Sequence, residues 1–465
     1  MIPHQRSGFF FDFVMGSILS TPVTAQHLQR KASSHLQAGF AELQGWRDDH
    51  EDAHVMETSW GGDASGRGLF VVFDGHGGTS AADFGALYLP LKMSTKKVLS
   101  DEEVTQYFLE CDEAYRMSPD NQAGAAVCMV LTEKMPSGKY KVRFANAGDS
   151  RAILVSTKED MVSELSDRAL DTDLHNRKDS ELTGHAEHLY GPEGLHFVSD
   201  DFECGVRLST IDHKPNLASE KARIEAAGGF VSNDTPARLQ GMLALSRMIG
   251  DFNYKKNPSL SPGEQMGSCV PEIFSAEADE GDLVILACDG IFDVLSNNEL
   301  ARQVRLRIKQ QLDAGVASPD LAKVSSDIVN LCLNRLDSKD NMSLMVIWLR
   351  GPSVAPSAKF EDELLVGEFP RIVEQAEMNN GNERRTKKAY EDFFSKVGYF
   401  KNPNACQVCG RYFKQMSSCP CKKAIYCDQV CQKQDWKSHR KVCGAVRHSS
   451  KATSPKSGAV VAAQK

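Results

Sequence analysis

The chain has 465 residues, 41% of them hydrophobic, which is long enough for roughly two or three domains with a sizeable core. It contains no run of about 18 apolar residues, so no membrane-spanning helix is predicted. The formal net charge is −8. Residues 401–465 carry 13 Lys and Arg against 2 Asp and Glu, so the rest of the chain is strongly acidic. An acidic body disfavours nucleic acid as a partner.

The first 36 residues are predicted to form a loosely ordered leader. Within it, Met15 begins the stretch MGSILS, which fits the acceptor pattern for N-myristoylation if translation starts at that methionine. Gly16 would then carry a fatty chain and tether the protein to a membrane. Seven of the 13 Cys lie between Cys406 and Cys443, and the six scattered ones favour a reducing compartment, the cytoplasm or the nucleus.

Apolar strands recur from Gly39 to about Leu349. Examples are GLFVVF, YKVRFANA, RAILV, MLALS, DLVILAC and MSLMVIWL. The strands come in clusters and do not alternate strictly with helices, which favours an α+β fold with largely antiparallel sheets over a doubly wound parallel sheet. Residues 37–350 are therefore predicted to form one domain.

Three helices are predicted inside this domain. ASEKARIEAAGG closes on Gly228, and NNELARQVRLRIKQQLDAG ends at Gly315. SPDLAKVSSDIVNLCLNRL has Ser318 as its predicted N-cap and Pro319 in its first turn.

Four further segments differ from this domain in composition. Residues 158–203 hold 13 Asp and Glu against 4 Lys and Arg, which indicates an acidic surface insertion. Residues 351–400 begin with the linker signal GPSVAPSAK and continue with two short predicted helices, EFPRIVEQAEM and TKKAYEDFFSKVGYF. Residues 401–446 are predicted to form a small cysteine-rich domain and residues 447–465 a disordered tail.

Acidic residues stand near the ends of several predicted strands, in LFVVFDGHGG, LVILACDGIFD, FANAGDSR, SKDNMSLMVIW and QGWRDDHEDA. They are Glu51, Asp52, Asp74, Asp149, Asp289, Asp293 and Asp340. Buried carboxylates repel one another and stay ionised together only around a cation, and Mg²⁺ or Mn²⁺ prefers such oxygen ligands. Spacing alone leaves ordinary turns open as the alternative, with Arg47 paired to Asp48 or Asp49. His76 would then be a satisfied turn histidine.

Seven motifs, in order, resemble the metal-dependent Ser/Thr protein phosphatases of the 2C class. They are QGWRDDHEDAH, VVFDGHGG, ANAGDSRAIL, DHKP…EKARIEAAGG, LALSRMIGDF, LACDGIFDVLSNNE and KDNMSLMV, and they cover roughly residues 39–349. The resemblance implies a sandwich of two mainly antiparallel β-sheets flanked by helices, with a binuclear Mg²⁺ or Mn²⁺ centre in a cleft at one end. It further implies in-line hydrolysis of serine and threonine phosphoesters by metal-activated water, without a covalent phosphoenzyme.

The resemblance also assigns the metal ligands. It implies that Glu51, Asp74 and the Gly75 carbonyl hold one metal. The other would be held by Asp74, Asp289 and Asp340, so that Asp74 bridges the pair.

Further residues take roles from the same resemblance. Arg47 would clamp the phosphate, because a guanidinium fits two phosphate oxygens bidentately. His76 would protonate the departing serine or threonine alkoxide. Asp149 and Asp293, together with Asp289, match a looser third metal site.

The chain departs from the family pattern at two places. Gly124-Ala125-Ala126 stands where a Ser/Thr-rich turn is usual, and Asn253 stands where an acid is common. Neither position supplies a principal metal ligand, so activity is expected to survive.

The cysteine-rich domain carries eight soft or borderline ligands, which suit two closed tetrahedral zinc sites. They are Cys406, Cys409, Cys419, Cys421, Cys427, Cys431, His439 and Cys443. The odd number of thiols disfavours disulfides, and so short a segment needs zinc for much of its folding energy.

The pattern is similar to the MYND finger over about residues 406–443. That resemblance implies interleaved ligands, with Cys406, Cys409, Cys427 and Cys431 on one zinc and Cys419, Cys421, His439 and Cys443 on the other. A single residue separates Cys419 from Cys421 where two are usual. The resemblance implies a docking module that holds short proline-containing peptides, and direct nucleic-acid binding by the basic tail is the weaker rival.

These interpretations combine into a monomeric phosphatase of phosphoserine and phosphothreonine proteins, targeted by a zinc-finger interaction module. The alternative from a different class is a catalytically silent scaffold whose cleft binds phosphoproteins without hydrolysing them. Neither the substrate nor the partner of the finger is named by the sequence.

Overall fold

A computed structural model describes most of the chain up to residue 398 and parts of the cysteine-rich region. The described residues are 18–60, 66–94, 99–157, 205–350, 361–378, 382–398, 417–419, 424–426, 432–433, 435–436, 439–440 and 443. The chain divides into two compact units, Met1–Ala389 and Tyr390–Lys465. The predicted acidic insertion lies outside the described residues.

Two sheets form the first unit. Its strands are β1 (Ile18–Ala32), β2 (Leu36–Arg47), β3 (Ala53–Glu57), β4 (Arg67–His76), β5 (Gly124–Lys134), β6 (Tyr140–Ala147), β7 (Arg151–Val155), β8 (Val206–Ser209), β9 (Ile249–Gly250), β10 (Glu272–Ala278), β11 (Leu283–Ala287), β12 (Met342–Leu349) and β13 (Glu361–Leu365). The first sheet has the order β13-β1-β2-β12-β11-β7-β8, and the second has the order β10-β6-β5-β4-β3, with β9 paired to β5. The strand pairs of both sheets are antiparallel throughout the described part of the chain, which confirms the predicted α+β class.

The two sheets pack face to face on an apolar core. Phe40 of β2 lies in this core with Phe70 and Val72 of β4. Val71 and Phe73 of β4 point to the opposite face, against the helices, because successive side chains of a strand alternate. Burial on both faces explains why the sequence of β4 is apolar without interruption.

Helices cover the outer face of each sheet, and further helices occur elsewhere in the described part of the chain. In chain order, the described helices are α1 (Ser80–Met93), α2 (Asp101–Arg116), α3 (Ala218–Ala226), α4 (Asp289–Phe292), α5 (Asn297–Asp313), α6 (Leu321–Asn334), α7 (Phe369–Met378) and α8 (Asn382–Lys396). Helices α1 and α2 pack on the second sheet, and α5 and α6 pack on the first, which confirms the predicted sandwich flanked by helices. Among the described helices, none is long and apolar enough to cross a membrane.

The predicted helices are present, but the N-cap of α6 differs from the prediction. Asp320 is the cap, because its Oδ1 accepts the Lys323 N–H at 3.1 Å. Ser318 lies outside the helix and donates its hydroxyl to Gln37 Oε1 at 3.0 Å. The sequence offered two capping residues on either side of Pro319, and the helix begins after the second.

The prediction of a loosely ordered leader was wrong for Ile18–Ala32. This segment is β1, which pairs with β2 on one side and β13 on the other, so β13 also belongs to the sheet although it lies in the predicted linker. Ala25 and Leu28 are buried in the first unit. His27 between them is buried as well and bonds Glu42 Oε1 at 2.7 Å, so a buried polar residue masks the apolar pattern of the strand in the sequence.

Candidate active site

Strand ends bring three of the predicted acids together. Asp74 lies near the end of β4 in the second sheet, Asp149 follows β6, and Asp289 follows β11 in the first sheet. Each offers a carboxylate oxygen, and these oxygens lie within 4.8 Å of one another. The Asp289 N–H also donates to Asp74 Oδ2 at 3.4 Å. The acid cluster therefore lies where the two sheets meet.

Burial and like charge raise the pKa of the clustered carboxyls. Burial raises the pKa of Asp74 well above its ordinary value, and the charges of Asp52, Asp149 and Asp340 raise it further. Burial and the neighbouring Asp74 likewise raise the pKa of Asp289. A cluster that resists full ionisation by itself favours a positive charge in its midst.

Glu51 reaches this region from the loop between β2 and β3. A Cβ added to Gly75 would stand 2.3 Å from the Glu51 carbonyl oxygen, so only glycine allows the loop to lie so close to β4. Gly78 N–H donates to Glu51 Oε1 at 2.5 Å, and Glu51 N–H donates to Asn341 Oδ1 at 2.9 Å. These bonds fix the Glu51 loop to the turn after β4 and to the segment before β12.

Arg47 and Asp340 form an ion pair beside the cluster. Arg47 is the last residue of β2, Asp340 precedes β12, and Arg47 Nη2 donates to Asp340 Oδ2. Burial raises the pKa of Asp340, and Arg47 opposes that rise without cancelling it. Asp48, one of the two alternative partners considered for Arg47, pairs with Arg385 of α8. The guanidinium of Arg47 therefore lies against the acidic centre.

His76 contacts an acid that the sequence analysis missed. His76 Nε2–H donates to Asp251 Oδ2 at 2.5 Å. Burial lowers the pKa of His76, but Asp251, Asp149 and Glu51 together raise it above its ordinary value, so the protonated ring is favoured. Asp251 and Phe252 are the last two residues of the motif LALSRMIGDF. Only the next residue, Asn253, was recognised from the sequence as a departure from the family pattern.

Lys214 forms an ion pair with Asp149, one of the acids of the predicted third metal site. Its Nζ donates to Asp149 Oδ2 at 2.6 Å. Burial raises the pKa of Asp293 to about 6, with Lys214 opposing the rise. Asp293 does not belong to the close group of carboxylates that Asp74, Asp149 and Asp289 form in the described part of the chain. Lys214, unnoticed in the DHKP motif, already places one positive charge on Asp149.

Asp52 provides an observation that bears on metal binding. Its carboxylate is buried and accepts the Ser343 hydroxyl at 2.7 Å through Oδ2, while Oδ1 has no hydrogen-bond partner among the described residues. An orphaned buried carboxylate oxygen beside repelling acids indicates a missing positive partner. The all-oxygen donor set therefore fits a hard divalent cation such as Mg²⁺ or Mn²⁺.

The second unit brings three soft ligands together. Cys419 follows β14 (Ser417–Ser418), which pairs with β15 (Ile425–Tyr426). Cys419 Sγ lies 3.6 Å from Cys443 Sγ and 3.3 Å from His439 Nε2, and all three residues are buried. They are three of the four ligands predicted for one zinc, and this donor set fits Zn²⁺. The other predicted zinc ligands lie outside the described residues: Cys406, Cys409, Cys421, Cys427 and Cys431.

Comparison with protein families agrees with both parts of the chain. A family model described as Protein phosphatase 2C matches residues 36–178 and 200–342, and one described as MYND finger matches residues 406–443. The fold, the acid cluster and these matches define a metal-dependent serine/threonine phosphatase with a C-terminal MYND finger. Because the first match covers more than half of the sequence, the chain belongs to the protein phosphatase 2C family.

Curated relatives and a solved structure show the same likeness. The chain is 31% identical to Protein phosphatase 2C homolog 2 of Saccharomyces cerevisiae over 348 residues, which covers 72% of this chain and 63% of that protein. It is 31% identical to human Protein phosphatase 1A over 371 residues, covering 75% and 81%. A crystal structure of a phosphatase from Toxoplasma gondii aligns with a TM-score of 0.55 at 21% identity, over 73% of this chain and 100% of that chain, and supports the fold alone.

Proposed function

We propose that this chain hydrolyses phosphoserine and phosphothreonine in proteins with a binuclear Mg²⁺ or Mn²⁺ centre. Glu51, Asp74 and the Gly75 carbonyl would hold one cation, and Asp74, Asp289 and Asp340 would hold the other. When bound, the two cations offset the acids and lower the pKa of a water molecule for attack on phosphorus. The observation that carries the proposal is the convergence of Asp74, Asp149 and Asp289 from different strands within 4.8 Å.

Arg47 would orient the phosphate. Its side chain is about 37% exposed, and it presents several N–H donors of which the bond to Asp340 uses one. The remaining donors match two phosphate oxygens, and their charge steadies the negative charge that spreads over the phosphoryl group during transfer.

His76 would hold the proton that the departing serine or threonine oxygen needs. The Asp251 carboxylate favours the protonated ring, and the ring lies two residues after Asp74, which keeps it close to the reacting phosphate. A third cation between Asp149, Asp289 and Asp293 is a weaker part of the proposal, since it would compete with Lys214.

The experiment measures phosphate release from a phosphothreonine peptide by the full chain with added Mn²⁺. Wild-type protein should be active and dependent on Mn²⁺, and Asp74→Asn should fall to background because it removes the residue shared by both cations. Asp313→Asn, an exposed Asp-to-Asn change at the end of α5, is the matched control and should behave as wild type. Wild-type protein that binds the peptide but stays inert with saturating Mn²⁺ would favour the silent scaffold.

The MYND finger would direct the phosphatase to its substrates by holding a peptide of a partner protein. Its predicted ligand set is full, so both zinc ions would be structural and leave no open coordination position for catalysis. A proline-containing peptide library screened against the full chain, with and without chelation of zinc, tests this. Binding that survives zinc removal, or selection of RNA over peptide in a competition, would contradict it.

Location and assembly complete the proposal. The chain would act as a monomer in the cytoplasm or nucleus, and it would associate with membranes where translation starts at Met15 and Gly16 is myristoylated. Mass spectrometry of the native amino terminus tests the lipid, and sedimentation analysis tests the monomer. Both positions lie outside the described residues.

A further inference from the structure

The contact between His76 and Asp251 is short, partly buried and made between residues far apart in the chain. Asp251 Oδ2 lies 2.5 Å from His76 Nε2, although the two residues are 175 positions apart. The side chains are about 28% and 13% exposed, respectively. Because Nε2 is engaged by Asp251, the ring nitrogen left for a substrate is Nδ1.

The backbone at Asp251 is held in a conformation that a non-glycine residue rarely adopts. Asp251 has φ 51° and ψ 45°, in the left-handed region. The preceding Gly250 also has positive φ, and a Cβ there would stand 2.2 Å from the Ala123 carbonyl oxygen. Such a strained conformation persists only where the surroundings enforce it.

A buried ion pair enforces this conformation. Asp112 of α2 accepts the Gly250 N–H at 2.7 Å and the Lys255 ammonium at 2.8 Å, both through Oδ1. The side chains of Asp112 and Lys255 are buried, and Lys255 also donates to the Met248 carbonyl at 2.8 Å. Gly250 and Lys255, which flank Asp251, thus both bind Asp112 of α2. These bonds fix the backbone at Asp251 and with it the direction of the Asp251 side chain.

Gly124 makes room for the pair. A Cβ added at Gly124 would lie 2.2 Å from Asp251 Oδ2 and 2.3 Å from His76 Nε2. No side chain fits there while the hydrogen bond remains. Gly124-Ala125-Ala126 departs from the Ser/Thr-rich turn that is usual in the family, and the glycine in it leaves space for this hydrogen bond.

On the other side, Asp251 faces a small cavity. The cavity has a volume of about 200 Å³ and is lined by polar groups of Arg116, Asn121 and Gln122 together with Asp251 and Phe252. A space of this size and polarity holds several water molecules. Solvent therefore reaches the pair from the side of Asp251.

We propose that Asp251 is a positioning residue that fixes the ring of His76 so that Nδ1–H donates to the departing oxygen. This inference rests on the proposed function. In the step, a water oxygen bonds to phosphorus, and the bond between phosphorus and the serine or threonine oxygen breaks with its electron pair on that oxygen. The Nδ1 proton of His76 moves to it, while the attacking water keeps one proton in the phosphate product and releases the other to solvent. After the alcohol has left, solvent in the cleft returns a proton to Nδ1 of His76.

The test compares two leaving groups in the full chain with Mn²⁺. Asp251→Asn should lower kcat on a phosphoserine peptide by about 10²-fold, the lower end of what a positioned proton donor contributes, with KM little changed. On p-nitrophenyl phosphate the loss should be several-fold smaller, because an aryl oxide departs without protonation. Mn²⁺ affinity measured by calorimetry should stay the same, since Asp251 is not a predicted ligand. Equal losses on both substrates, a change confined to KM, or no loss at all would overturn the proposal.

A second variant guards against misfolding. Gly124→Ala separates His76 from Asp251 without removing either charge, and it should reproduce the difference between the two substrates. Gly263→Ala is its matched control, because a Cβ there meets nothing closer than 3.7 Å. A Gly124→Ala protein that treats the two substrates as wild type does would contradict the positioning role.

A spectroscopic readout separates this inference from the proposed function. With histidine labelled by ¹⁵N, the Nε2–H proton of His76 should appear far downfield in wild type and disappear in Asp251→Asn. If the resonance is present in a wild-type protein that is inert with Mn²⁺, the hydrogen bond between His76 and Asp251 exists but the proposed phosphatase activity is wrong. If the resonance is absent from an active wild-type protein, the phosphatase activity stands but the positioning role of Asp251 is wrong.

Discussion

Asp74→Asn is expected to stabilise the metal-free protein while it abolishes hydrolysis. In the absence of cations, Asp74 is a buried carboxylate whose pKa is raised by burial and by Asp52, Asp149 and Asp340. Asparagine removes the charge but keeps an oxygen that can accept the Asp289 N–H. The variant therefore loses repulsion and little else.

The size of the effect follows from the geometry. Two unit charges 4.8 Å apart interact by about 3.5 kcal/mol at an effective dielectric constant of 20. The folded protein relieves part of this repulsion by retaining protons on Asp74 and Asp289, as their raised pKa values indicate. We therefore expect a gain of about 1 to 3 kcal/mol in the free energy of unfolding near neutral pH.

The assay is urea unfolding in EDTA followed by tryptophan fluorescence. Three of the four tryptophans, Trp46, Trp60 and Trp348, lie in the first unit, so the signal reports mainly on the phosphatase part. The midpoint should rise for Asp74→Asn and stay unchanged for Asp313→Asn. With Mn²⁺ the order should reverse, because cations stabilise only the protein that binds them. A lower midpoint for Asp74→Asn in EDTA would refute the reasoning that repulsion dominates this cluster.

Three other predictions concern pH, a helix cap and zinc. In EDTA, the gain in unfolding free energy from Asp74→Asn should increase as pH rises above about 4. The pKa of Asp74 is raised in the folded wild type, so the wild type loses stability as Asp74 is forced to ionise. A gain that decreases with rising pH would contradict this. Ser100→Ala, which removes the N-cap of α2, should cost about 1 kcal/mol by urea unfolding without changing activity, whereas Ser94→Ala should cost less than about 0.5 kcal/mol; equal costs would argue against the cap. Cys419→Ser should lower the zinc content measured by mass spectrometry by one per chain, while Cys332→Ser, in the core of the first unit, should leave it unchanged.

The strand-end acids could be predicted because each carries its structural signal in the neighbouring residues. LFVV before Asp74 is a buried strand, and Gly75 after it is a turn, so both the position of the acid and its burial follow from about ten residues. Asp289 repeats the pattern at the end of β11. The prediction that these acids converge depended on the resemblance to a family, because sequence spacing does not say which strand ends are neighbours in space.

Other residues carried no such local signal. Asp251 follows a strand of two residues, and its importance depends on a left-handed backbone and on a histidine 175 positions away. Lys214 neutralises Asp149 across 65 positions. β1 escaped detection because polar residues such as His27 are buried in it with partners that come from other strands. In each case, the information lies in pairings that only the folded chain creates.

The pairing of β1 with β13 bears on how the catalytic part can be separated from the finger. A protein cut at residue 350 would lose β13 and leave the backbone of β1 open along one side, which invites a second molecule to add its own strand there. It would also strip Arg30 of its ion pair with Glu363. A protein that ends just after Leu365 would keep β13 paired with β1. This longer protein should therefore stay monomeric under conditions in which the protein ending at residue 350 aggregates.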